Sequence, residues 1–376
     1  MGNPDMDGRL SASQAGAAIT KFYSPDAWID GRAEDQLKDL ATWAGVTQIA
    51  AFPDLHPGKY GPVGCAVLAD RVFPQLIGND IGCGMSLFQL DLPLRKLKLE
   101  KAVRRMRVLG EPTNSPRSEQ LDDAGLPTDL FASALGTIGG GNHFCEVQSL
   151  VDPLVPCDLD PQLTYLLIHS GSRGLGEASL RALPSAAFCG LRPDSLEAKN
   201  YLSDHDKAVR WASLNRQIIA ERAAEALRAD LRLITDVPHN VLTATPNGWL
   251  HRKGAAVAAD LVPVAGSRAT SSYLVRPCTP DAALTSLAHG AGRRYDRSSM
   301  HGRVSGKRSD LTAMQRTPFG GHVICEDRDL LIEEAPQAYK SAKNVVSDLE
   351  AKSVAERIAT LNPLLTFKKT RKEALR

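Results

Sequence analysis

Apolar positions in this chain recur at two different spacings, and the switches between them mark out its elements. Residues 32 to 44 alternate polar and apolar at helical spacing, and the run stops at Gly45, which predicts a helix closed by a glycine cap. From residue 47 to 90 the apolar runs shorten to Gln48–Phe52, Val63–Leu68 and Met85–Leu90, cut by Pro and Gly, as strands joined by tight polar loops are. Glu111 to Pro127, rich in Pro, Ser and Asp, reads as a surface loop. The longest helical pattern covers residues 205 to 232, with Trp211, Leu214, Ile218, Ile219, Ala223 and Leu227 along one face. Short strands punctuated by Gly248, Gly254, Gly266, Gly290 and Gly292 follow, and a last helix is expected from about Ala335 to Ile358. The elements show no regular βαβ alternation, no internal repeat and no linker, so the expected fold is a single α+β domain over residues 1–376, with mixed sheets and surrounding helices.

Composition narrows the class more than the function. With 376 residues and 43% apolar content the chain can bury a large core. No apolar run approaches the ~20 residues of a spanning helix. Met1-Gly2-Asn3-Pro4-Asp5-Met6 has neither the basic and apolar regions of a signal peptide nor the Ser or Thr at position 6 of a myristoylation site, so the expected compartment is the cytoplasm. The seven cysteines (65, 83, 145, 157, 189, 278 and 325) are odd in number and lack any Cys-x-x-Cys pair, a poor disulfide or zinc-ribbon pattern. A formal charge of +2 does not announce a nucleic-acid partner, although Arg293-Arg294, Arg297 and the basic tail from Lys368 could line a local groove.

Metal-binding side chains gather where strands run into glycine-rich turns. Gly78-Asn79-Asp80-Ile81-Gly82-Cys83-Gly84 sets a carboxylate and a thiol three apart, a donor pair suited to a borderline-soft divalent ion and equally found as a buried Cys beside a turn-forming Asp. Gly139-Gly140-Gly141-Asn142-His143 could offer backbone N–H groups to phosphate and an imidazole to a metal, or serve as a flexible turn. An apolar strand delivers His169 into Ser170-Gly171-Ser172-Arg173-Gly174; Gly174-Leu175-Gly176 does not complete a dinucleotide fingerprint. His239 follows Val237-Pro238, His251 precedes Arg252-Lys253-Gly254, and His289 stands open between Ala288 and Gly290, as a nucleophile or a tight turn requires. Four histidines in such frames beside the Asp-x-x-Cys turn favour a composite metal site.

In their order these motifs resemble the RtcB family of RNA ligases, from about Phe52 to Lys368. The likeness is carried by Pro53-Asp54-Leu55-His56-Pro57-Gly58, the Asp80–Gly84 turn, Gly141-Asn142-His143-Phe144 with Glu146, His169 to Gly174, His239-Asn240, His251 to Gly254, His289 to Arg293, and Glu334-Ala335-Pro336-Gln337-Ala338-Tyr339-Lys340. The resemblance implies that Cys83 bridges two Mn²⁺ ions, with His169 and His239 completing one site and Asp80 and His143 the other. It implies that His289 attacks the α-phosphate of GTP to give a histidine–GMP, which activates an RNA 3′-phosphate, or an opened 2′,3′-cyclic phosphate, for joining to a 5′-hydroxyl. Glu146 and Lys368 would then read guanine, Phe144 and Tyr339 flank it, and Asn142, Ser267 and Ser272 hold the nucleotide. Arg173, Lys253, Arg293 and Arg297 become candidates for phosphate or RNA contact, against the plainer reading of solvated surface cations. An activator of the archease type is a further expected partner.

The chain departs from the family at Ala265, Arg268 and Ala269, where Pro, Met and Gly are usual, and at Ala288, where a Cys commonly stands. A Val-Lys-Gly ending is replaced by Phe367-Lys368-Lys369. Its short length resembles a compact bacterial branch associated with a release-factor-like protein, which points to RNA repair. Two other functions use the same residues: a two-metal phosphoesterase, and a silent RNA-binding relative, which would have no chemical reason to keep Asp80, Cys83, His143, His169, His239 and His289 together.

Overall fold

The computed structural model describes residues 16–112, 117–151, 153 and 158–370; the N-terminal leader positions, Cys157 and the end of the basic tail lie outside this range. Two antiparallel-dominated sheets carry the molecule. One has the strand order Ala18–Lys21, Val46–His56, Val63–Ala69, Gly248–Lys253, Asn240–Thr245. The larger runs Val262–Val264, Ser272–Pro277, Ala355–Lys369, Phe144–Val151, Leu163–Ser170, Gly84–Pro93, Leu231–Pro238, with His322–Cys325 added alongside Ala355–Lys369. A two-stranded pair, Ala255–Val257 with Ser286–Ala288, is the third sheet. Among the strands of the described residues, parallel pairing occurs only between Ala18–Lys21 and Val46–His56 and between His322–Cys325 and Ala355–Lys369, and the mixed α/β architecture is as expected.

Across the larger sheet packs one 32-residue helix, Leu196–Leu227. Ser195 caps it by accepting from Ala198 N–H at 3.1 Å, and it ends because Arg228 takes a left-handed conformation. Trp211, Ile218, Ile219, Ala223 and Leu227 are buried on its inner face, as their spacing predicts. Trp211 Nε1 donates to Leu130 O at 2.9 Å, so the ring can be buried without orphaning its N–H.

Several boundaries differ from those the pattern predicts. The first helix is Gly31–Leu40 and caps at Ala41, short of Gly45. The long helix begins nearer Leu196 and stops before residues 231–238, which form a strand paired to Gly84–Pro93. The expected loop from Glu111 to Pro127 contains a short helix, Ser118–Asp123. The expected helix over 335–358 is helical only at Ala342–Ala351. Ser353, with φ +53°, turns the chain into the 15-residue strand Ala355–Lys369. That strand sits between two others, and pairing on both sides outweighs its modest local preference.

Candidate functional site

Register brings the site together. Gly84 lies opposite both Ser170 and Pro238, and Phe144 lies opposite His169. Cys83, His169, His239 and His143 therefore emerge at one end of four neighbouring strand segments, although 156 positions separate the first of them from His239. Sequence spacing alone could not show this; antiparallel pairing makes it unavoidable.

Cys83 is buried, with Sγ 3.1 Å from His169 Nε2 and 3.3 Å from His143 Nε2. His169 Nε2 is 3.3 Å from His239 Nε2, and His143 Nε2 is 2.9 Å from Asp80 Oδ2. His169 Nδ1 donates to Asn142 O at 3.3 Å, which leaves the Nε2 lone pair facing the thiol. Burial holds His169 and His239 well below the usual imidazole range, so both are neutral, the form that ligates. Burial raises Asp80, but His143 beside it outweighs that and holds the carboxyl below its usual range. His143 Nδ1, His239 Nδ1 and Asp80 Oδ1 are buried without a hydrogen-bond partner. Lone pairs that converge this closely repel unless a cation lies among them, and Cys83, His143 and His169 have the donor types and proximity a divalent metal needs. The donor set fits a metal.

Beneath the cluster, fully buried Arg216 donates to Gly82 O at 2.7 Å and Ser170 O at 2.9 Å, fixing the backbone next to Cys83 and His169. Asp236 balances it at 2.6 Å and is itself held by Ser86 and Ser213. Residue types at this spacing gave no hint of that support.

His289 extends from the strand Ser286–Ala288, its ring centroid 4.4 Å from that of His239. Its Nδ1 lies 2.7 Å from Asp54 Oδ2, and the same oxygen accepts its backbone N–H at 3.1 Å. Asp54 is fully buried on the strand Val46–His56, and Lys340 clamps that strand by donating to Pro53 O and Leu55 O at 3.0 and 2.6 Å. Asp54 had no assigned role in the sequence reading. Its signal was its place in Pro53-Asp54-Leu55-His56; its partner lies 235 positions away.

A cavity of about 1040 Å³ opens over both histidine groups and is lined by every predicted site residue except Ser272. The Ser272 hydroxyl accepts from Gly266 N–H at 3.0 Å and shapes the loop behind the wall. Ser267 bonds within the same loop to Thr270 Oγ1 at 3.0 Å. Glu146 is buried on Phe144–Val151, its oxygens accepting from Thr366 Oγ1 and Gln148 Nε2 at 2.7 Å each; burial raises it to about 7. Lys368, two residues along from Thr366, is lowered by burial and stands 3.9 Å from Glu334. Phe144 meets the His169 ring edge-on at 5.6 Å.

Glu334 is the hub of this end. It pairs with Arg293 at 3.0 Å and Arg297 at 3.2 Å, and accepts from Tyr339 Oη. Burial opposes its ionisation, but Lys368 and the two arginines prevail and hold it at about 2. Arg293 is thus paired and largely enclosed, whereas Arg297 is paired but half exposed. Backbone conformation explains two of the three glycines in the run. Gly139 and Gly141 have positive φ, and a Cβ there would meet Arg173 at 1.8 Å and Arg297 at 2.7 Å. Arg268, the departure from the family's usual Met, turns into the protein and donates to Glu334 O and Leu331 O at 2.6 and 2.9 Å.

The chain matches the family model described as tRNA-splicing ligase RtcB over residues 36–111 and 127–369. It is 40% identical to the RNA-splicing ligase RtcB2 of Escherichia coli over 364 residues, 93% of this chain and 96% of that protein. Likeness to RNA-splicing ligase RtcB1 of the same species is 25% over 420 residues, 93% of this chain and 97% of that protein. For the tRNA-splicing ligase RtcB of Archaeoglobus fulgidus it is 25% over 437 residues, 88% and 90% of the two chains. The longer alignments mark insertions that the compact chain lacks. Matched by the family model over most of its length, and by RtcB2 nearly end to end, the chain belongs to the RtcB family of RNA-splicing ligases.

Proposed function

We propose that this chain joins RNA ends carrying a 3′-phosphate or 2′,3′-cyclic phosphate to ends carrying a 5′-hydroxyl, with His289 as the carrier of GMP. The family membership brings RNA as substrate and GTP and metal as cofactors. The observation that carries the reading is His289, backed by buried Asp54 at 2.7 Å and set beside a Cys/His cluster in one cavity.

With the ring proton on Nδ1, 2.7 Å from the Asp54 carboxylate, Nε2 is left as the free nitrogen of the ring. His289 Nε2 attacks the α-phosphorus; the P–N bond forms as the bond to pyrophosphate breaks. His289 then yields GMP to an oxygen of the RNA 3′-phosphate, and the 5′-hydroxyl oxygen displaces GMP to leave a phosphodiester. A 2′,3′-cyclic phosphate is opened by water first. Glu146 accepts from guanine N1–H and N2–H, Lys368 donates to O6, and Phe144 and Tyr339 flank the base. Asn142, Ser267 and the loop shaped by Ser272 hold the rest of the nucleotide. Arg173, Lys253, Arg293 and Arg297 face phosphate.

For the metal, Cys83, His169, His239, His143 and Asp80 would hold two Mn²⁺ ions. The thiol stands between the His169–His239 pair and the His143–Asp80 pair. Bound there, the ions supply positive charge against the phosphate oxygens. The chain is read as one ligase domain, because both large sheets contribute walls to this cavity and the two-stranded pair adjoins it at Gly254 and His289. Its setting is the cytoplasm, where a working thiol stays reduced, and its task the rejoining of broken RNA.

Incubation with GTP labelled at the α-phosphate, in the presence of Mn²⁺, should give an acid-labile adduct that peptide mapping places on His289 and that His289→Ala abolishes. A phosphoesterase or a silent relative forms none, and absence of the adduct ends the ligase reading.

A further inference from the structure

The cavity is larger than the ~300–1,000 Å³ typical of a single small-ligand site, and nucleotide contacts account for only part of its wall. Another part is made by Lys59, Tyr60, Lys253 and Phe188. Phe188 is 38% exposed, unusual for a ring that burial would reward. Its backbone is nevertheless fixed. Phe188 O accepts from buried Gln75 Nε2 at 2.7 Å, and Val72 and Leu191 exchange backbone hydrogen bonds just beyond it.

Phe188 and Tyr60 have ring centroids 5.8 Å apart and planes tilted by 54°, so they form an open corner and not a closed stack. Lys59 Nζ stands 4.9 Å from the Tyr60 centroid and Lys253 Nζ 5.9 Å. The carbonyls of Gly61 and Gln75 hold the Lys253 ammonium at 3.4 and 3.3 Å, and no carboxylate among the described residues forms a salt bridge with either lysine. This corner is tied to the chemistry through Gly254. That residue follows Lys253 at φ +61°, and a Cβ on it would come within 3.0 Å of His289 Cε1.

Exposed π faces beside cations without a carboxylate partner match the needs of an unpaired nucleotide, whose base stacks and whose phosphate seeks positive charge. The rings line the wall of the cavity that holds the nucleophile, so the occupant must be one that reaches His289. We propose that Tyr60 and Phe188, with Lys59 and Lys253, seat the terminal unpaired nucleotide of an RNA strand being joined, its base against the rings and its phosphate on the ammonium groups. This assignment rests on the ligase reading above and adds to it a place for one RNA end.

Binding of short single-stranded RNAs, one ending in a 3′-phosphate and one in a 5′-hydroxyl, is measured by fluorescence anisotropy on the full chain and on Tyr60→Ala, Phe188→Ala and Tyr60→Phe. Each alanine variant should bind one of the two RNAs roughly tenfold more weakly. Tyr60→Phe should bind it normally, and the loss should appear in KM for RNA and not in kcat. The original protein should lose the same factor when the terminal base is removed from that RNA, whereas Tyr60→Ala should not distinguish the two. Adduct formation from labelled GTP without RNA reports separately on folding and on the ligase reading. Adduct-forming alanine variants that bind both RNAs normally, or indifference of the original protein to the missing base at both ends, would overturn the seat. Failure of the original protein to form any adduct would instead remove the ligase reading.

Discussion

Replacing Asp54 with Asn tests how His289 is made into a nucleophile. The carboxylate is fully buried, 2.7 Å from Nδ1, and it also accepts the His289 backbone N–H at 3.1 Å. A hydrogen bond to a charged group is worth about 1.5–3 kcal/mol net, which by itself slows the step roughly 10- to 150-fold. The amide adds a second penalty. Its N–H can donate to Nδ1, which drives the ring proton to Nε2 and removes the lone pair that attacks phosphorus. Where Asn replaces the Asp behind a catalytic histidine, such a tautomer error costs about 10⁴-fold. Single-turnover adduct formation by Asp54→Asn should therefore be about 10²- to 10⁴-fold slower, with metal content by mass spectrometry unchanged, since Asp54 touches none of the clustered donors. A variant within about threefold of the original rate would refute the positioning argument, as would one that loses its metal.

Three further outcomes follow from the geometry. Glu146 is raised by burial to about 7, and only its ionised form accepts both guanine donors, so KM for GTP should rise as pH falls through about 7 and approach tenfold per pH unit below it; Glu146→Gln should bind GTP weakly with a flat profile. Cys83→Ala should lose both bound metal and the adduct, and a metal-replete, active variant would contradict a thiolate shared by two donor pairs. Arg216→Met leaves Asp236 buried without its partner and should cost about 3–5 kcal/mol in urea unfolding. Arg216→Lys should recover part of that stability but not full metal affinity, because one ammonium cannot replace the fork to Gly82 O, Ser170 O and Asp236.

Local periodicity was informative where an element decides its own structure. The buried face of the long helix, from Trp211 to Leu227, could be read from spacing because the 3.6-residue period is a local property. The strand Ala355–Lys369 was missed because its conformation is fixed by Phe144–Val151 and Ser272–Pro277 on either side. The same division holds in the cavity. Cys83, His143, His169, His239 and His289 were visible as residues in open, glycine-rich frames, and the ordered motifs of the family supplied their roles. Asp54, Arg216 and Glu334 were not singled out, because what they do is hold another residue, and a partner 235 positions away leaves no local trace. Arg268 shows the converse. It was visible as a departure in the nucleotide loop, whereas the bonds of its guanidinium to the carbonyls of Leu331 and Glu334 were not.

That last contact explains why a formal charge of +2 says so little about this protein. Several cations of this region are built around carboxylates, whereas Lys59 and Lys253 face the cavity without one. Glu334 gathers Arg293, Arg297 and Lys368, and Asp236 balances Arg216. In a sum over the sequence such groups cancel. In space they do not, because a carboxylate at the centre of three cations is shielded from the cavity while the outer faces of the cations are not. Holding the cations this way also limits their conformational loss when phosphate arrives, since their side chains are ordered beforehand. On the function proposed above, Glu334 orders the cations that would meet RNA and nucleotide. Arg268, by fixing the carbonyls of Leu331 and Glu334, sets where that hub stands. The loop that departs most from the family thus lines the pocket and braces Glu334 through Arg268, and none of its substitutions removes a member of the donor cluster or the nucleophile.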